Sequence, residues 1–119
     1  NEVKFNFHHE DLLYTILISK QDVLDAMQYL QAEVPGAGDY YYRGHYVTNP
    51  TTEKRYGIKK VLVQIIKNKE GFETHIFSPV YGQEKLEQLD FPCGFDVETS
   101  KNWNHEKAKV KENIMYGNA

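Results

Sequence analysis

The chain has 119 residues, room for one domain whose core hides about two-thirds of the unfolded surface. With 40 % hydrophobic and 26 % charged residues it is excluded from the fibrous, collagen-like and wholly disordered classes. The net charge is −3, and the single cysteine excludes an internal disulfide or a multi-cysteine zinc site.

From Asn1 to His8 apolar and polar residues alternate, with Val3, Phe5 and Phe7 on one side, which predicts a half-buried strand. His9-Glu10-Asp11 is a polar break. Leu12 to Ile18 is a nearly continuous β-prone run, predicting a central strand that forms a hairpin with the first. This run is interrupted by Thr15 and is far too short to span a bilayer. No basic run followed by an apolar one opens the chain, so no signal peptide is visible. Together with the lone thiol, this points to a cytoplasmic protein without a membrane partner.

Ser19 opens a helix. Its hydroxyl suits the N-cap, and Asp22 three residues later completes a cap pattern. Val23, Leu24, Met27, Leu30 and Val34 form one stripe, and Pro35 stops the helix before the loop Pro35-Gly-Ala-Gly38. Tyr40 to Thr48 reads as a tyrosine-rich strand, Asn49 to Lys54 as a turn, and Arg55 to Ile58 as extended chain with a bulge at Gly57. Val61 to Ile66 reads as a strong strand. Asn68 to Gly71 then turns it into an antiparallel return over Phe72 to Val80, in a register pairing Ile65 with Thr74 and Val63 with Ile76. Gln83 to Leu89 suits a short helix and Asp90 to Asp96 a loop. A last helix opens at Thr99 or Asn104, with Trp103, Val110 and Ile114 on one side. The expected fold is a single α+β domain: an antiparallel sheet of four or five strands, one helix packed across it, and a C-terminal helix. The thin stripe of that last helix, with Met115, marks a surface for a homo-oligomer.

Charge is unevenly spread. Residues 40–69 hold Arg43, Lys54, Arg55, Lys59, Lys60, Lys67 and Lys69 against one acid, Glu53, while both flanks are acidic. Tyr40, Tyr41, Tyr42, Tyr46 and Tyr56 lie in the same segment. Cations meet phosphate or carboxylate, and phenol rings stack on bases or anchor protein interfaces. The leading expectation is therefore a non-enzymatic binding protein for an anionic partner: a nucleotide, a nucleic acid or an acidic protein surface. Arg43, Lys54, Arg55, Lys59 and Lys60 would meet the charge, and Tyr41, Tyr42, Tyr46 and Tyr56 would stack or pack. The competing reading is that these rings are sheet core and the cations pair with the chain's own acids.

Five histidines offer a second reading. A side chain titrating near about 6.5 gives and takes protons at neutral pH. A metal-independent ribonuclease of toxin type needs an acid, a base and a cation. His45 and His75 would be the pair, Arg43 the cation, and Ser78 or Tyr42 an assistant. A third reading is an inhibitor of a basic partner, acting through Asp22, Asp25 and Glu33 on the polar side of the first helix. His8-His9-Glu10-Asp11 is poorly suited to a metal, because adjacent strand residues face opposite ways. Cys93 reads as a small buried hydrophobe. P-loop, dinucleotide, zinc-protease and α/β-hydrolase motifs are absent, and no cofactor is expected.

Overall fold

A computed structural model describes residues 1–34 and 44–96. Its elements are β1 (Glu2–His9), β2 (Leu12–Ser19), α1 (Lys20–Glu33), β3 (Gly44–Thr48), β4 (Arg55–Gly57), α2 (Ile58–Glu70), α3 (Pro79–Gln88) and β5 (Cys93–Asp96). The α+β class holds. The single sheet of four or five strands does not: the strands form two antiparallel sheets, β1-β2 and β4-β3-β5. The expected C-terminal helix and residues Tyr40 to Arg43 lie outside the described residues.

The N-terminal hairpin forms as its alternation requires. Phe5 pairs with Ile16 and Phe7 with Tyr14. Glu10 and Asp11 make the turn with φ of 51° and 65°. Two consecutive left-handed residues are the signature of a two-residue turn matched to the strand twist. Phe5, Phe7, Ile16 and Ile18 are buried on the inner face. β2 is not a central strand, however, because among the described residues β1 is its sole neighbour. The capping box at α1 is complete: Asp22 N–H donates to Ser19 Oγ at 3.2 Å, and Ser19 N–H donates to Asp22 Oδ2 at 2.9 Å. Val23, Ala26, Met27 and Leu30 are its buried stripe.

The largest correction concerns residues 58–80. The expected strand Val61 to Ile66 lies inside α2, so its pairing with Thr74 and Ile76 does not exist. Ile58, Val61, Leu62, Ile65 and Ile66 are the buried set, at intervals of three and four that only a helix places on one face. The β-branched residues argue locally for a strand, but burial against α1 and α3 overrides that modest preference. Gly71 is not a hairpin turn. It ends α2 with φ 85°, its N–H donating to Lys67 O, and Lys67 and Lys69 sit favourably at the negative end of the helix.

Residues 72–78 then cross the hairpin as irregular chain. Phe72 stacks on His9 with centroids 3.9 Å apart, and Phe77 meets Phe5 edge-on at 5.2 Å. Buried Thr74 donates to His8 O at 2.9 Å. Ser78 caps α3 through Val80 and Tyr81 N–H groups, and Pro79 takes the position where its missing donor is harmless. α3 begins four residues before the expected Gln83, and Cys93 to Asp96, expected as loop, pairs with β3 as β5.

Candidate anion-binding groove

α2 starts against electrostatic custom. Its N-cap, Gly57, offers no side-chain oxygen, and no acid occupies the first turn. That turn instead carries Lys59 and Lys60, at the end where the helix is already positive and where acids are normally favoured. Both lysines line a groove of about 380 Å³ with Val63 and Gln64 of α2, Leu30 and Val34 at the end of α1, and His75 of the crossing segment. Among the described residues no carboxylate lines it. Lys59 Nζ donates to His75 O at 2.6 Å and lies 5.0 Å from the Phe77 ring centroid, so its position is held from two sides. Lys60 is exposed and makes no ion pair with any described residue.

The other members of the expected cationic surface are dispersed. Arg55 donates to Asp96 Oδ2 at 3.1 Å and sits 4.1 Å over the Tyr46 ring. The same side chain lies close to Gly94, where a Cβ would stand 2.6 Å from the phenol oxygen. Arg55 thus takes one face that a base would need. Tyr56 is 2 % exposed and donates to Gln31 Oε1 at 3.0 Å. Lys54 lines a separate cavity of about 450 Å³ with Tyr56, between α1 and the β3–β4 turn. Lys67 pairs with Glu73 at 3.3 Å and Lys69 with Asp22 at 3.0 Å. Tyr41, Tyr42 and Arg43 lie outside the described residues.

His45 and His75 stand in different surroundings. His45 Nδ1 is 2.8 Å from Gln83 Oε1, and its ring lies 4.7 Å from Phe95. His75 belongs to the lysine groove, on irregular chain rather than the expected strand, and Ser78 is the cap of α3. His45 thus meets Gln83 and Phe95, whereas His75 lines the groove with Lys59 and Lys60. Asp22 of the acidic helix is committed to the cap and to Lys69, and Asp25 accepts from Gln21 at 2.8 Å.

No group of three or more His, Cys, Asp or Glu gathers at metal-binding distance among the described residues. The Cys93 thiol is pushed up to about 12 by burial, helped by the charge of Glu87. No helix among the described residues is long and apolar enough to cross a membrane.

Sequence reasoning singled out Lys59, Lys60 and His75 but missed their setting. Leu30, Val34, Val63 and Gln64 become legible only when α2 is read as a helix, since Lys59–Val63 and Lys60–Gln64 are then neighbours four residues apart. No protein-family model matches the chain, and no curated protein or solved structure matches it significantly.

Proposed function

We propose that this is a non-enzymatic binding protein that receives an anionic side chain of a protein partner in the groove between α1 and α2. The supporting observation is the pair Lys59 and Lys60, held at a helix N-terminus without a side-chain cap, in a groove lined by no carboxylate among the described residues. An incoming carboxylate would meet two ammonium groups and the positive end of α2 together. Leu30, Val34 and Val63 supply aliphatic walls beside the charge, which suits an acidic residue flanked by apolar ones. Among the described tyrosines of the basic segment, Tyr46 has Arg55 over its ring and Tyr56 is buried, so a base-stacking platform is weakly supported. An acidic protein segment is therefore favoured over a nucleic acid.

The test is fluorescence anisotropy with two labelled probes, an acidic peptide of alternating Glu and Leu and a single-stranded oligoribonucleotide. The peptide should bind, and binding should fall with added salt. Reversing both charges in Lys59→Glu/Lys60→Glu should weaken it by about tenfold or more, since each reversal at the surface is worth on the order of 1 kcal/mol. Peptide binding that is indifferent to the double reversal would overturn the site. Tighter binding of the oligoribonucleotide would overturn the choice of partner.

A further inference from the structure

The cavity between α1 and the β3–β4 turn shares no lining residue with the lysine groove. At about 450 Å³ it has the size of a small-molecule site. Leu24 and Ala32 of α1 give it an aliphatic side, while Gln31, Asn49, Lys54 and Tyr56 bring polar groups. Among the described residues no carboxylate lines this cavity. Two of the polar side chains have their acceptor ends already used. The hydroxyl of buried Tyr56 needs an acceptor and donates to Gln31 Oε1 at 3.0 Å. Asn49 Oδ1 accepts from the N–H groups of Thr51 at 2.8 Å and Thr52 at 3.2 Å. The main chain of Asn49 is held as well: its N–H donates to Lys54 O, and its C=O accepts from Glu53 N–H. Each amide is therefore fixed at its oxygen, and its NH₂ group has no hydrogen bond to any described residue. An amide NH₂ only donates, and so does the ammonium group that Lys54 adds to the same lining.

We infer that this cavity binds a small organic carboxylate with a hydrocarbon body. Its ligand must accept from donors on two elements, Gln31 of α1 and Asn49 of the β3–β4 turn, beside a cationic side chain. A carboxylate does this best: it is acceptor-only, its two oxygens offer about four lone-pair directions, and its charge strengthens each bond. The hydrocarbon part lies against Leu24 and Ala32, which gives an apolar site with a few convergent polar groups. A cationic ligand would meet only donors and a like charge there. The reading goes beyond the lysine groove, which takes a side chain of a protein partner, and does not depend on it.

The test is an NMR titration of isotopically labelled protein with phenylbutyrate as the probe. Main-chain amide signals of Ala32, Asn49 and Lys54 should shift and saturate, with a Kd on the order of 1 mM or tighter for so small a ligand. Gln31→Glu and Asn49→Asp are the decisive variants. Each keeps an oxygen acceptor for Tyr56 or for the Thr51 and Thr52 N–H groups, and each replaces the NH₂ donor with a negative oxygen. Either should weaken the probe by about tenfold or more. The two act on different elements, so one suffices if the other loses its dispersed amide spectrum. Phenylbutyramide, with the same body and no charge, should also bind more weakly. Lys59→Glu/Lys60→Glu should leave the titration unchanged, which separates this result from that of the groove. Absence of saturable shifts at these residues, shifts confined to the lysine groove, a probe indifferent to both isosteric variants, or equal binding of the uncharged amide would each overturn the proposal.

Discussion

Gly82 is the sharpest point at which the packing of α3 on α2 can be tested. It is buried in α3, and a Cβ there would stand 2.5 Å from Leu62 Cδ1 and 3.0 Å from Ile58 Cγ2. Leu62 is fully buried and Ile58 is 1 % exposed with a stiff β-branched side chain, so neither can simply turn aside. Two effects oppose each other in Gly82→Ala. Helix propensity favours alanine by about 1 kcal/mol. Overpacking a filled core costs about 1–3 kcal/mol. With two contacts inside the normal limit, overpacking should win, and the variant should be less stable by about 1 kcal/mol. Urea denaturation should show this as a midpoint lowered by roughly half a molar. Leu62→Val removes the nearest clashing atom, so in that background the same alanine should recover about 1 kcal/mol or more. A Gly82→Ala variant as stable as its parent, or a cycle without coupling, would refute the close approach of the two helices.

The carboxyl of Asp22 and the thiol of Cys93 give two further predictions. Burial pushes the Asp22 carboxyl up, but the Ser19 N–H and the Lys69 ammonium outweigh it and hold the group below its ordinary pKa of 3.8. A group depressed by folding stabilises the native state above its unfolded pKa, and that contribution drains away as pH falls through the folded value. Stability should therefore drop below about pH 4, and Asp22→Asn should be less stable at neutral pH but flatter over the acid range in pH-dependent urea melts. Equal acid slopes for variant and parent would show that the cap carboxylate is not the titrating group. Cys93, with its thiol pushed up to about 12, stays protonated near neutrality. Native protein should label very slowly with a thiol-specific disulfide reagent at pH 8 and rapidly in denaturant. Fast labelling of the folded chain would mean that the thiolate is accessible there.

The sequence by itself determined the parts whose partners are close along the chain. The β1–β2 hairpin follows from period-two alternation and a short turn, and the start of α1 from Ser19 and Asp22, which bond to each other. Within these elements the buried positions Phe5, Phe7, Val23, Met27 and Leu30 are those the periodicity marks.

Only tertiary structure decided the segment 58–80. Val61 to Ile66 satisfies a strand pattern and a helix pattern alike, because a run apolar at nearly every position carries both periods. Contacts with α1 and α3 selected the helix, and the strand expected to pair with it became irregular chain across β1. The charge bias of residues 40–69 was legible, but its use was not. Arg55, Lys67 and Lys69 pair with Asp96, Glu73 and Asp22, while Lys59 and Lys60 have no acidic partner among the described residues. Composition counts charges, whereas a site depends on which charges the fold leaves without a counter-ion. That is settled by long-range packing.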